Sequence, residues 1–250
     1  MGGDAAGSRA EDRTAPPDLG RIAGARVHPD RPALIPPPDP LRAVLFDWDG
    51  TLLDSAEASF RCYRRLFEPY GIDFTAALFA GTYAPDWYRT YEGVGLGRDR
   101  WSEADTRWLE IYREEACALR GGVGETLARF AAAGVRAALV TSGTRSRVEG
   151  DLRRLGLAEA FDRVVCGEDA VRKKPDPEAL HLALDGLDVP APEAAYVGDS
   201  PEDVEMARAA GVFSVGLAGG FPNADALRRA APDAMADDLL DVAALLLPRP

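Results

Sequence analysis

From Leu41 onward, short apolar runs alternate with segments whose apolar residues recur at helical spacing. That alternation is the pattern of β-α units laid on a parallel sheet. The runs predict strands at Ala43–Asp47, Ala137–Thr141, Arg163–Cys166, Ala195–Asp199 and Phe213–Gly216. Three of the intervening helical patterns, Leu127–Ala133, Val148–Leu155 and Val204–Ala210, are each followed directly by a glycine, the residue that most easily leaves a helix in the left-handed conformation. The fold class this predicts is α/β, a doubly wound, Rossmann-like parallel sheet.

One stretch interrupts the alternation. Between Ser55 and Arg120 the spacing shows helices and no strand: Phe60, Tyr63, Leu66 and Phe67 share one face, and Trp108, Ile111, Tyr112 and Cys117 follow a plausible helix start at Ser102. Tyr83, Trp87, Tyr88, Tyr91 and Trp101 also fall here. Residues 55–120 are therefore expected to form a small all-helical cap inserted after the first strand, with 41–54 and 121–250 making the core. Asp54-Ser55 is expected to be the hinge and helix start. Residues 1–40 carry eight of the chain's 19 prolines and no periodicity, which predicts a flexible tail with some order near Leu34 and Ile35.

Composition narrows the classes of function. A chain of 250 residues that is 46% hydrophobic can bury a substantial core, and no run of about 18 apolar residues predicts a membrane span. The net charge of −12 argues against a nucleic-acid or anionic-membrane surface, which would need a basic patch. Cys62, Cys117 and Cys166 are far apart and form no C-x-x-C pair, and no apolar leader precedes the tail, so the expected setting is the cytoplasm with reduced thiols filling the core. His28 and His181 have no evident ligand partner.

Polar residues gather where the predicted strands end, which is where open parallel sheets bind ligands. They are Asp47-x-Asp49-Gly50-Thr51, then Thr141-Ser142-Gly143, then Lys174 in the run KKPDP, then Asp199 in VGDSPED with Asp203 one helical turn on. Each has a plainer reading. Asp49-Gly50 makes an ordinary turn, Thr141 a helix cap, Lys173 or Lys174 a solvated lysine, Asp199 the cap of a helix opening at Pro201, and Asp203 a first-turn acid favoured by the helix dipole. Asp47 resists such a reading, because an acid closing a buried apolar run is costly unless it has a task.

In this order the four motifs resemble the haloacid-dehalogenase superfamily, in its phosphoglycolate-phosphatase-like branch with a helical cap, over about residues 41–246. The resemblance implies a phosphatase acting on a small phosphorylated metabolite with Mg²⁺. Asp47 is implied as the nucleophile that forms an aspartyl phosphate and Asp49 as the acid and base. Thr141, the Ser142 N–H and Lys174 are implied as phosphate ligands; register selects Lys174 over Lys173. Asp47, the Asp49 carbonyl and Asp199 are implied as metal ligands, with Asp203 near the metal or orienting Lys174. Asp49 itself speaks against dehalogenation, which needs no second acid. Phosphomutases share the whole core, and a degenerate binding module is the non-enzymatic alternative. Trp48 is larger than the residue expected between the acids and is expected to pack away from the site.

Overall fold

The computed structural model describes residue 1 and residues 36–247, so the expected tail, with Leu34, Ile35 and His28, lies mainly outside the described residues. In chain order the elements are β1 (Ala43–Phe46), β2 (Leu53–Asp54), α1 (Ala56–Phe67), α2 (Ala76–Thr82), α3 (Trp87–Gly93), α4 (Trp101–Tyr112), β3 (Ala118–Leu119) and α5 (Val123–Ala132). They continue with β4 (Arg136–Val140), α6 (Arg145–Arg154), β5 (Arg163–Val165), α7 (Glu178–Leu187), β6 (Ala194–Gly198), α8 (Pro201–Ala210), β7 (Phe213–Leu217), α9 (Ala224–Arg229), β8 (Ala234–Ala236) and α10 (Leu239–Leu246).

Six strands form one all-parallel sheet in the order β5-β4-β1-β6-β7-β8. Strand side chains alternate between faces, and here both faces are buried. Val44, Phe46, Leu139 and Val197 join Phe130 of α5, Val148 of α6 and Val242 of α10 on one side. Leu45, Val140 and Val165 meet Leu180 and Leu184 of α7 and Met206 of α8 on the other. The sheet is thus doubly wound. The chain runs outward from β1 through β4 to β5, returns to β6 on the other flank of β1, and so makes its switch of direction beside the strand that carries Asp47.

The five predicted strands are present. Four of them stop one residue short of the predicted end, so Asp47, Thr141, Cys166 and Asp199 stand just past β1, β4, β5 and β6. Gly134, Gly156 and Gly211 follow α5, α6 and α8 with φ of 72°, 74° and 70°. The sheet has a sixth strand, β8, which the pattern did not suggest.

Helices α1 to α4 form the insert, and their aromatic spacing becomes its core. Tyr63 stacks on Phe67 with centroids 5.7 Å apart, Phe67 meets Phe74 at 5.1 Å, and Phe60 stacks on Phe79 at 5.4 Å. The stretch 55–120 is not free of strands: Ala118–Leu119 pairs antiparallel with Leu53–Asp54, so both passages into the insert run side by side as a ribbon. Helix α4 begins at Trp101 rather than after Ser102, with Arg100 in the capping position. Ser55 does precede α1, but its hydroxyl makes no capping bond. All three cysteines are buried and free. Among the described residues no helix is long and apolar enough to cross a membrane.

Candidate active site

The edge at which β1, β4 and β6 end gathers the predicted polar residues. Phe46 pairs with Leu139 on one side and Val197 on the other, and the Asp47 amide donates to Val197 O at 2.9 Å, which sets Asp47 beside Asp199. Past Asp47 the chain turns sharply: Trp48 O accepts from the amides of Leu52 and Leu53 at 3.0 and 2.9 Å, and Gly50 sits at φ 76°. Trp48 is fully buried in the apolar core, as expected of a packing residue. The same turn puts the Asp49 side chain back over the strand end.

Of the two lysines, Lys174 is the one that lies among these acids. The residue is buried, and its ammonium lies 2.8 Å from Asp47 Oδ1, 2.8 Å from Asp203 Oδ1 and 2.9 Å from the Tyr196 hydroxyl. Lys173 instead donates to the Gly167 carbonyl. Burial alone would lower the Lys174 ammonium, but the carboxylates of Asp203 and Asp47 outweigh it and hold the group well above the usual lysine value. Asp203 is fixed from both ends, since its Oδ2 accepts from the Ser200 amide and hydroxyl at 3.0 and 2.7 Å in a capping box that opens α8. The helix cap is therefore Ser200, which leaves Asp199 free of that duty.

Asp199 is the outstanding acid. It is 1% exposed, and its Oδ2 has no hydrogen-bond partner among the described residues. The space around that oxygen is kept open by glycines, because a Cβ at Gly50 or Gly219 would sit inside van der Waals contact of Asp199 Oδ2. Burial, and then the neighbouring charges of Asp47 and Asp203, hold the Asp199 carboxyl well above the ordinary carboxylate range. Asp47 is pushed up to about 7, by burial first and by Asp203 second, against the opposing pull of Lys174. Oxygens of Asp47, Asp199 and Asp203 lie within 4.8 Å of one another. Hard oxygen donors this close, one of them orphaned in a cradle that excludes side chains, fit a small divalent cation such as Mg²⁺. Asp203 has both oxygens engaged already, so Asp47 and Asp199 are the side chains with donor capacity to spare.

Thr141 and Ser142 stand across from these acids. The Thr141 amide donates to Val165 O at 3.0 Å, and its hydroxyl accepts from the Gly143 amide at 3.0 Å, which folds the loop before α6. Helix α6 is preceded by Thr144, so Thr141 is not its cap. The first turn of α6 also delivers a residue that the sequence pattern did not single out. Arg147 clamps Asp49 with two hydrogen bonds, NH1 to Oδ1 at 3.0 Å and NH2 to Oδ2, and lies 3.6 Å from Asp151. The guanidinium is buried under Tyr112 of the insert, 5.0 Å from that ring's centroid. Burial opposes its charge, but Asp49 and the Tyr112 hydroxyl override burial and raise it further. Tyr196 was missed as well; it joins Lys174 and Asp203 and donates to Val140 O at 3.1 Å. A signal existed for Arg147, whose spacing from Asp151 allows an i,i+4 pair, but nothing in a polar helix start marks such a pair as buried.

The insert closes over this edge and leaves a cavity of about 170 Å³ between them, lined by Asp47, Asp49, Thr141, Arg147, Lys174 and Asp199 below and by aromatic side chains above. Phe221, from the loop after β7, stacks on Tyr83 of the insert with centroids 4.2 Å apart and planes 12° apart, and Arg89 reaches Glu202 at 3.6 Å. A family model described as haloacid dehalogenase-like hydrolase matches residues 44–217. A phosphoglycolate phosphatase of Pectobacterium atrosepticum is 31% identical over 216 residues, covering 82% of this chain and 92% of that protein. The pyrophosphatase PpaX of Bacillus velezensis is 31% identical over 208 residues, covering 80% and 94%. The crystal structure of CbbY from Rhodobacter sphaeroides in complex with phosphate superposes with a TM-score of 0.68 at 26% identity, covering 83% and 100%.

Proposed function

Since the chain belongs to the haloacid dehalogenase-like hydrolases and is a phosphohydrolase of that family, we propose that it hydrolyses a small phosphate monoester through an aspartyl phosphate on Asp47, with Mg²⁺ as cofactor. The observation that supports this best is Asp47 itself. It is a buried carboxyl at a strand end that lines the cavity, with one oxygen tied to Lys174 and the other accepting no hydrogen bond among the described residues.

Asp47, Asp199 and the backbone carbonyl of Asp49 would hold the metal, whose positive charge would reduce the repulsion between carboxylate and phosphate dianion. The side chains divide the remaining work. The free oxygen of Asp47 forms a bond to phosphorus as the ester P–O bond breaks, and Lys174 balances the charge that builds on the phosphoryl oxygens. The Thr141 hydroxyl and the Ser142 N–H take the other phosphoryl oxygens. Asp49 gives a proton to the departing alkoxide, which leaves as the alcohol. It then removes a proton from the water that attacks phosphorus, releasing inorganic phosphate and restoring the Asp47 carboxylate. Arg147 fixes the plane of the Asp49 carboxyl for both transfers.

The test is turnover of p-nitrophenyl phosphate with EDTA, with Mg²⁺ restored, and in Asp47→Asn. The proposal expects activity with Mg²⁺ alone and none in the variant. A folded Asp47→Asn protein that keeps turnover would sink it, and a binding module would give none under any condition. A mutase would give little until its activating sugar phosphate was added.

A further inference from the structure

The upper half of the cavity is built by the insert, and its chemistry is one-sided. Tyr63, Trp87, Tyr91 and Trp108 present aromatic surface, and Asp105 of α4 is the one charged side chain of the insert among the cavity's lining residues. Asp105 Oδ1 accepts from Trp87 Nε1 at 2.9 Å and from the Tyr91 hydroxyl at 3.2 Å, while Oδ2 accepts from the Tyr88 hydroxyl at 2.9 Å. Burial and the bond to Asp105 push the Tyr88 hydroxyl up to about 12, so it remains a donor. Three neutral donors thus hold the carboxylate in place without cancelling its charge, and no ion pair reaches Asp105 among the described residues. Oδ2, with a single donor, retains capacity for another.

The two cations of the cavity are committed elsewhere. Lys174 lies between Asp47 and Asp203, and Arg147 between Asp49 and Asp151. A second anionic group on the substrate would find no free cation among the lining residues and would face Asp105 across a partly desolvated space, where like charges repel strongly. An ammonium would find the reverse: a fixed carboxylate with an open lone pair, in a wall of Tyr and Trp side chains.

We propose that this site takes phosphate monoesters whose leaving group carries an organic ammonium, bound by Asp105 within the aromatic wall, and discriminates against leaving groups that carry a carboxylate or a second phosphate. This rests on the phosphatase reading above, and it separates the chain from the relatives named for phosphoglycolate and pyrophosphate.

Three esters of nearly equal length test it: O-phosphoethanolamine, 2-hydroxyethyl phosphate and phosphoglycolate. The expected order of kcat/KM is ammonium over hydroxyl over carboxylate, each step roughly tenfold, the size of one charge-assisted hydrogen bond gained or lost. Asp105→Asn, which removes the charge and keeps an acceptor, is expected to shrink the ammonium-to-carboxylate ratio by roughly tenfold. The order in the wild type stands as a test even where the variant folds poorly. Phosphoglycolate or the hydroxyl ester turned over as fast as the ammonium ester, or a folded Asp105→Asn protein with an unaltered ratio, would overturn the proposal. Turnover of p-nitrophenyl phosphate tells the two readings apart. If it proceeds while phosphoglycolate leads, only the ammonium assignment falls; if no ester is hydrolysed, the phosphatase reading falls and this one with it.

Discussion

Replacing Asp47 with Asn is expected to stabilise the metal-free protein above neutral pH while ending turnover. In the wild type the Asp47 carboxyl rises from 3.8 to about 7, because burial and the neighbouring Asp203 oppose its charge more than Lys174 supports it. The unfolded chain ionises near the ordinary value, so the folded state binds the extra proton and loses stability as the pH climbs between the two values. The interval from 3.8 to about 7 corresponds to on the order of 4 kcal/mol once the group is fully ionised. Relaxation and water entry reduce this, and half of it still corresponds to about 4–8 °C in Tm for a chain of this size. Asn mimics the neutral carboxyl and carries no such penalty, and Lys174 keeps Asp203 as its partner at 2.8 Å. Thermal melts of both proteins in EDTA should nearly coincide at about pH 4 and separate, with the variant higher, up to about pH 8. Saturating Mg²⁺ should then raise the wild type more than the variant, closing the gap. A variant that melts below the wild type at every pH, or a gap that does not grow with pH, would refute the claim that this carboxyl is held against its preference for water.

Three further perturbations follow from the same geometry. Arg147→Met leaves the partly exposed Asp49 without its cation while Asp151 keeps Arg154 at 2.9 Å, so urea melts should show a loss of about 2 kcal/mol and kcat should fall with the loss of Asp49's anchor. Gly219→Ala drives a methyl against Asp199 Oδ2 and the Gly50 carbonyl, so activity titrated with Mg²⁺ should require a much higher concentration while circular dichroism stays native. Phe221→Ala removes the ring stacked on Tyr83, and steady-state kinetics should show a raised KM with a smaller change in kcat, because the contact joins the insert to the core and touches no proposed reacting group.

What was legible in the sequence was whatever a period or a punctuating residue records. The runs that became β1, β4 and β6 are apolar on both faces because both faces are covered, and the glycines after α5, α6 and α8 mark turns that a side chain would strain. Asp47 and Asp199 fell one residue past β1 and β6, at the edge of the sheet where a side chain is free to reach a ligand. Short elements escaped. Ala234-Met235-Ala236 is three residues of small or flexible side chains, and the β2–β3 ribbon has two residues per strand, too few for a period of two to repeat. Ser102 looked like a helix start, but Trp101 already lies in α4, where its indole donates to Leu96 O at 3.0 Å. Arg147 and Asp105 escaped for another reason. Both are charged residues whose partners, Asp49 and the trio of Trp87, Tyr88 and Tyr91, come from other elements, and a one-dimensional pattern reads such residues as solvent-facing. Asp105 does share the helical face of Trp101, Ala104 and Trp108, and an acid on an otherwise apolar face was the available clue.

The proposed chemistry turns on Asp47 taking the phosphoryl group onto its own side chain. Mixing the enzyme with Mg²⁺ and excess p-nitrophenyl phosphate, quenching in acid within the first turnovers and digesting for mass spectrometry tests it directly. One added phosphoryl group is expected on the peptide that contains Asp47, removed by hydroxylamine as an acyl phosphate is, and absent from Asp47→Asn. Steady turnover with the phosphoryl group on another residue, or with Asp47→Asn still active, would contradict it.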